Sequence, residues 1–223
     1  MKKIGLMIAM DKELEFFTGF IDFKAEKTLH KCTFHLGKYL NNEIIAVVSG
    51  MGNVNAALCT ADLINTFNSD LILNVGISGG LSSQLKIGDF VVADDIIYHD
   101  VWCGTPNKIG QVQGLPELYH SDKHLSKLLP DLKHGLICCG DLFVDNKPAL
   151  DNIVAKFPTA LAVDMESAAI AQTCYLYNIP MISVRQISDT PGVEHHAEQY
   201  ASFWKNAPQH SAQIIQKLLE EIL

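Results

Sequence analysis

The stretch LAVDMESAAIAQ, residues 161–172, decides the fold, because it places two carboxylates inside an apolar run. Residues 161–165 are typical of a buried strand, and residues 166–178, ESAAIAQTCYLYN, are typical of a buried helix. Asp164 and Glu166 lie around the junction. Burying an ionised carboxylate costs free energy unless a partner compensates its charge. The junction therefore predicts a polar site at the end of a strand.

The same change from strand to helix repeats along the chain. Continuous apolar runs predict strands covered on both faces. We predict strands at 3–10, 71–80, 89–100, 135–144, 161–165 and 181–189, a hairpin turning at Asn41-Asn42, and helices at 11–20, 52–68, 121–132, 148–157, 166–178 and in the C-terminal segment ending IIQKLLEEIL. This alternation predicts an α/β fold with a mainly parallel sheet between two layers of helices.

Composition limits the function classes. The 223 residues fit a single domain, 1–223. A composition of 48% hydrophobic and 19% charged residues indicates a compact globular protein. The formal net charge of −8 offers no basic surface to nucleic acid or to an anionic membrane. The six scattered cysteines, without a C-x-x-C motif, predict reduced thiols and a cytoplasmic location. No apolar run reaches the length of a membrane span.

Glycines, acids and hydroxyls follow five of the predicted strands. Ligands bind beyond the carboxyl ends of strands in such folds, so we expect these segments to form one pocket. The segments are Met10 to Glu13, Gly76 to Gly80, Asp141 to Val144, Met165-Glu166 and Ser188-Asp189.

Most of these features also have a purely structural explanation. Glu13 suits the first turn of a helix, GISGG (76–80) suits a strand-to-helix turn, and residues 188–189 suit a helix cap. Glu166 is harder to explain, because a glutamate within VDMESAAIA needs a partner. Arg185, the only arginine in the chain, is the candidate partner.

Eight segments, in this order along nearly the whole chain, resemble the 5′-methylthioadenosine/S-adenosylhomocysteine nucleosidases of the purine nucleoside phosphorylase/uridine phosphorylase superfamily. They are MIAMDKELE, SGMGNVNAA, NVGISGGL, IGDFVVADD, YHD, CGDLFV, VDMESAAIA and VRQISD. The resemblance implies a three-layer α/β/α sandwich around a mixed, partly closed central sheet. It also implies a homodimer, a nucleoside substrate and no cofactor or metal.

The resemblance assigns a role to each polar residue. Cleaving an N-ribosidic bond passes through an oxocarbenium-like transition state and needs an acid for the leaving purine and a nucleophile for the sugar. Asp189, held by Ser188, matches the acid at N7 of adenine. Glu13, helped by Arg185, matches the base that activates water. Glu166 matches the residue that binds the ribose hydroxyls, and we expect it to pair with Arg185 as well.

Apolar and backbone groups are expected to enclose the substrate. The resemblance places Met165 beside the sugar, the Phe143 ring on the purine and the Val144 backbone at its edge. The remaining expected substrate contacts are Met10 and Met51 on the 5′ side and Ile77 and Gly79 in the glycine segment. Asp164 is expected to have a structural hydrogen-bonding role.

Two segments depart from the family pattern. Ile77 stands where a serine is common, with Ser78 beside it, which removes one possible contact to water or ribose. Residues 101–116, VWCGTPNKIGQVQGLP, are unusual in a region that shapes the 5′ pocket, partly from the other subunit. Candidates for that pocket are Trp102, Tyr200 and Phe203.

Three function classes are open: a hydrolase, a phosphorylase and a non-catalytic nucleoside-binding relative. Phosphorylases usually hold phosphate with two or more arginines, so a lone arginine favours hydrolysis. Within the hydrolases, another 5′-substituted purine nucleoside such as aminodeoxyfutalosine is the alternative substrate. His120 and His124 lack further metal ligands and indicate a solvated helix face. The pair 195–196 is interpreted as the cap of a loop.

Overall fold

The computed structural model describes residues 1–205 and 208–222, which form ten strands and seven helices. In chain order they are β1 (Lys3–Ile8), α1 (Asp11–Thr18), β2 (Asp22–Leu29), β3 (Cys32–Tyr39), β4 (Asn42–Val48), α2 (Asn53–Asn65), β5 (Leu71–Gly80), β6 (Phe90–Tyr98), β7 (Tyr119–His120), α3 (Lys123–Ser126), β8 (Lys133–Cys139), α4 (Lys147–Lys156), β9 (Ala160–Asp164), α5 (Ser167–Tyr177), β10 (Met181–Asp189), α6 (His196–Phe203) and α7 (Pro208–Glu221). Leu223, the last residue of the predicted C-terminal helix, lies outside the described residues.

The strands form one mixed sheet that closes partly on itself. β5 pairs with β10, and the sheet continues through β6, β8 and β9 back to β5. From β5 it extends outward through β1, β4, β3 and β2, while β7 pairs with β6. The α/β class with a mixed, partly closed sheet is thus confirmed. The expectation that the sheet is mainly parallel is wrong. The β2–β3–β4 meander and the pairs β5–β9, β6–β10 and β6–β7 are antiparallel.

Helices cover both faces of the sheet. On one face α2 and α5 bring Leu63 and Ile170 into a core with Ile72. On the other face α1 and α7 bring Phe17 and Leu218 into a second core. All six cysteines are free thiols. No helix among the described residues has the length and apolarity needed to cross a membrane.

Several elements differ from the sequence prediction. β2 was not predicted, because this edge strand is exposed at nearly every position and carries no apolar alternation. The helix expected at 121–132 is limited to the four residues of α3. Pro130 has no backbone N–H and cannot donate the hydrogen bond that a longer helix would need. By contrast, the strand predicted at 71–80 is confirmed as β5, so the alternative interpretation of 76–80 as a strand-to-helix turn is wrong, and Gly79 pairs with both Val163 and Asp189.

Candidate active site

The ends of β1, β5, β8, β9 and β10 meet at one cleft. Every predicted site residue except Arg185 lies in its wall: Met10, Glu13, Met51, Ile77, Gly79, Phe143, Val144, Met165, Glu166, Ser188 and Asp189. The wall also contains Ala9, Ser78, Leu142, Val163, Asp164, Pro191 and Tyr200. Arg185 is buried with 2% of its surface exposed. The β-strand ends therefore bring together residues that are up to 190 positions apart in the sequence.

Glu13 is held by backbone amides of two strand ends. Its Oε2 accepts hydrogen bonds from the N–H groups of Ala9 at 3.1 Å and Met10 at 3.0 Å, and its Oε1 accepts one from Ile77 at 2.9 Å. A carboxylate has about four acceptor positions, so one is left to take a proton from a bound molecule. Burial raises the pKa of Glu13, although Arg185 and the three amides oppose the shift. Glu13 thus combines the helix-capping role with a place in the cleft.

Gly76 makes room for this arrangement. A Cβ atom at Gly76 would lie 2.6 Å from Oε1 of Glu13 and 3.1 Å from Nη1 of Arg185. Any larger residue would displace one of these two charged groups. The absence of a side chain here thus lets the carboxylate and the guanidinium approach the same strand.

Arg185 pairs with Asp164 rather than with Glu166, which corrects the sequence prediction. Its Nε donates to Oδ2 of Asp164 at 2.7 Å, and both side chains are almost fully buried. Oδ1 of Asp164 accepts from the Ser167 hydroxyl at 2.8 Å, so Asp164 has the structural hydrogen-bonding role expected of it. Burial acts to lower the pKa of the guanidinium, but the charges of the surrounding carboxylates raise it overall.

Glu166 lies two residues after β9 and immediately before α5, with its carboxylate directed to the start of another helix. Its Oε1 accepts from the N–H of Gly52 at 2.9 Å, immediately before α2. Burial and the charge of Asp164 raise the pKa of Glu166 to about 7, against the opposing effect of Arg185 and Gly52. The other oxygen is free to accept from hydroxyl groups in the cleft.

Asp189 has a partner that the sequence analysis missed. Its Oδ1 accepts from the Ser188 hydroxyl, as expected, and Nε2 of His196 lies 2.6 Å from Oδ2. His196 begins α6 and is 8% exposed, whereas His195 is exposed and pairs with Glu198. The loop-cap interpretation of 195–196 is therefore wrong for His196. No short motif marks this pairing, because the intervening loop has to fold back before the contact exists.

Aromatic residues form the outer wall. The Phe143 ring is about half exposed in the cleft and lies 6.2 Å from the ring of Tyr200. Tyr200, predicted for the 5′ pocket, reaches Sδ of Met10 with its hydroxyl at 3.8 Å. Phe203 was assigned wrongly, since it is buried in the core beneath α6. Trp102 is exposed beside a separate depression with His99 and Ile109.

The surroundings of residues 77 and 78 bear on the departure from the family pattern, in which a serine is common where Ile77 stands. The Ile77 side chain packs partly against the core of α1 and α7, while its N–H binds Glu13. Ser78 borders the cleft, but its hydroxyl is buried and without a hydrogen-bond partner among the described residues.

The cleft is acidic. No lysine or arginine lies in its wall among residues 1–205 and 208–222, and the single arginine is already bound to Asp164. The described part of the chain also contains no group of three or more His, Cys, Asp or Glu side chains that could hold a metal ion. His120, expected with His124 on a solvated helix face, lies instead in β7 and pairs with Asp95 at 2.7 Å.

The sequence model of the phosphorylase superfamily matches residues 3–223. The chain belongs to this superfamily. Among its relatives, the 5′-methylthioadenosine/S-adenosylhomocysteine nucleosidase of Chromohalobacter salexigens is 34% identical and is aligned over 100% of this chain and 98% of its own length. The resemblance drawn from the sequence is thereby confirmed.

Solved structures of the superfamily show the same fold. The S-adenosylhomocysteine nucleosidase of Streptococcus pyogenes, crystallised with 5-methylthiotubericidin, superposes with a TM-score of 0.94 at 34% identity, covering 100% of this chain and 98% of that one. The futalosine hydrolase of Helicobacter pylori superposes with a TM-score of 0.92 at 31% identity, covering 99% and 98%. An S-adenosylhomocysteine nucleosidase and a futalosine hydrolase thus share this architecture.

The buried ion pair leads to a stability prediction. Asp164→Asn removes the charge that compensates Arg185, and we expect the free energy of unfolding to fall by about 3–5 kcal/mol. Asp151→Asn is the matched control, because Asp151 forms an exposed pair with Lys147 and should change stability by less than about 1 kcal/mol. Urea denaturation of both variants measures the difference. Similar small losses in the two variants would contradict the assignment of Asp164 as the main partner of Arg185.

Proposed function

We propose that the protein is a nucleosidase that hydrolyses the N-ribosidic bond of 5′-substituted adenosines and releases adenine and the 5′-thioribose. The proposed substrates are methylthioadenosine and S-adenosylhomocysteine. One observation carries the proposal: the described wall of the cleft contains the buried carboxyl groups of Glu13, Glu166 and Asp189 and no lysine or arginine. This wall suits a sugar that becomes positively charged, and it lacks the cations that would hold phosphate.

In the proposed reaction Asp189 acts on the leaving group. Adenine leaves poorly as an anion, so the carboxyl proton of Asp189 passes to N7 as the electron pair of the C1′–N9 bond moves onto the base. The buried position of Asp189, 3% exposed, supports this role because it limits competition from water. Phe143 stacks on the purine, and the Val144 backbone meets its edge.

Glu166 holds the ribose. A glutamate with a pKa of about 7 is substantially ionised near neutral pH and accepts hydrogen bonds from sugar hydroxyls through the oxygen that Gly52 leaves free. The negative charges of Glu166, Glu13 and Asp164 exceed the one positive charge of Arg185. Their field favours the positive charge that develops on the ribosyl ring in the transition state. Met165 packs beside the sugar, with Met10, Met51, Ile77 and Gly79 around it.

Glu13 activates the nucleophile. The acceptor position that its three amide contacts leave open takes a proton from water, and the water oxygen bonds to C1′. A raised pKa brings Glu13 closer to the range in which a general base is effective at neutral pH.

Fewer observations support the alternative functions. Phosphorolysis would need a cationic phosphate site that the described cleft wall does not supply. A non-catalytic binding protein would not need a water-activating base beside an acid. Aminodeoxyfutalosine is the alternative substrate, supported by the likeness to futalosine hydrolase, and it would be cleaved by the same three carboxyl groups.

We further propose that residues 1–223 act as one cytoplasmic domain in methionine salvage, and as a homodimer. Exposed apolar side chains support the dimer: Trp102 in the 101–116 segment and Met51, Val54 and Leu58 at α2. Exposed apolar surface of this kind next to a cleft is typical of a protein interface.

The deciding experiment is phosphate dependence. We expect the purified protein to release adenine and methylthioribose from methylthioadenosine at the same rate with and without phosphate. Chromatography of the products distinguishes methylthioribose from its 1-phosphate. Adenine release that requires added phosphate would refute hydrolysis, and cleavage of aminodeoxyfutalosine alone would identify the alternative substrate.

Glu13→Gln tests the base. The amide keeps the shape of the side chain but cannot take a proton, so kcat should fall by about 10²–10⁴-fold while nucleoside binding persists. Glu15→Gln is the matched control, because Glu15 is exposed on the same helix and should retain wild-type turnover. Turnover of Glu13→Gln near the wild-type value would mean that another group activates the water.

The dimer is tested at its exposed tryptophan. We expect light scattering to give the mass of a dimer for the wild type and of a monomer for Trp102→Glu, because a buried unpaired charge opposes association. Leu40→Glu is the control, since Leu40 is equally exposed in the β3–β4 turn. A wild-type protein that is a stable, active monomer at working concentration would rule out this part of the proposal.

A further inference from the structure

The carboxyl group of Asp189 is contacted from two sides by its own chain. Ser188 donates its hydroxyl to Oδ1, and Nε2 of His196 lies 2.6 Å from Oδ2. Asp189 and His196 are 3% and 8% exposed, so water competes little for the contact. The separation is short enough for a hydrogen bond between the two side chains.

His196 contacts Asp189 without being part of the cleft wall. Among the described residues of the loop and helix that follow β10, Pro191 and Tyr200 line the cleft and His196 does not. His196 therefore acts on Asp189 and not directly on a nucleoside in the cleft. Its imidazole ring lies 5.8 Å from that of Phe143, the proposed purine-stacking residue.

The surrounding structure fixes the imidazole in place. The loop before α6 packs onto β5, where a Cβ atom at Gly79 would lie 2.7 Å from the Pro191 ring. The side chain of Gln199 accepts from the N–H of Thr190 at 3.0 Å, which ties α6 back to the end of β10. Tyr200 anchors the same helix to Met10 across the cleft. His196 is thus held by several contacts that do not involve Asp189.

We propose that His196 is a positioning residue for Asp189, holding the carboxyl group in the orientation from which it protonates the leaving base. The inference rests on the proposed function. When the proton moves from Asp189 to the purine nitrogen and the C1′–N9 pair moves onto the base, a carboxylate remains. The Nε2–H of His196 donates to that carboxylate and stabilises it at the moment it forms. The leaving base gains the proton that Asp189 loses, and His196 keeps its own proton throughout this step.

The test replaces the imidazole by side chains that do or do not reach Asp189. In His196→Gln the amide nitrogen extends about as far as Nε2 and can still donate. In His196→Asn the amide is shorter, and in His196→Met the donor is absent. His195→Asn is the matched control, because the neighbouring histidine is exposed and pairs only with Glu198 among the described residues.

Two substrates separate positioning from a structural effect. On methylthioadenosine we expect kcat of the Asn and Met variants to fall by about 10–100-fold with little change in KM, as for residues that orient a reacting group. The Gln variant should recover most of the loss. On 4-nitrophenyl 5-methylthioribofuranoside, whose leaving group needs no proton, all three variants should turn over like the wild type.

Other outcomes would overturn the proposal. They are wild-type turnover of methylthioadenosine in both the Asn and Met variants, no recovery with Gln, equal losses on the two substrates, or unfolding of both the Asn and the Met variant. Failure of the wild type to cleave methylthioadenosine would instead refute the proposed function and this inference with it. Active wild type with unaffected variants refutes the inference alone.

Discussion

The site depends on one buried guanidinium among carboxylates. Arg185 is bound to Asp164, and its charge also acts on Glu13 and Glu166. An ion pair this deeply buried holds β10 to the end of β9, because separating the partners would leave a charge without compensation. Burial, together with the charge of Asp164, raises the pKa of Glu166 to about 7. A single pair thus stabilises the junction of two strands and sets the electrostatics of the cleft.

Backbone amides position the carboxylates of Glu13 and Glu166. Glu13 accepts from strand ends β1 and β5, and Glu166 accepts from the residue before α2. Amides at strand ends and at the start of a helix have little freedom to reorient, so the two carboxylates are held before any ligand arrives. Such preorganisation is the main source of electrostatic stabilisation in enzyme sites. The glycine at position 76 is part of this design, since a side chain there would overlap both Glu13 and Arg185.

The two ends of the proposed reaction are built differently. The water-activating side is held by the sheet, whereas the acid is held by Ser188 in β10 and by His196 from α6. Helix α6 reaches its place through contacts of its own with β5, β10 and Met10. The base and the acid are thus held by separate parts of the fold.

Most of the fold and the cleft could be predicted from the sequence, because both depend on local patterns. Apolar runs identified the core strands, and the rule that strand ends carry ligands identified the segments that line the cleft. The resemblance supplied the roles. Three features were decided only by tertiary structure. They are the pairing of β5 with β10, the ion pair of Arg185 with Asp164 rather than with Glu166, and the contact of His196 with Asp189. Each depends on the direction and distance of groups from separate elements. Residue identity and spacing do not determine these until the chain has folded.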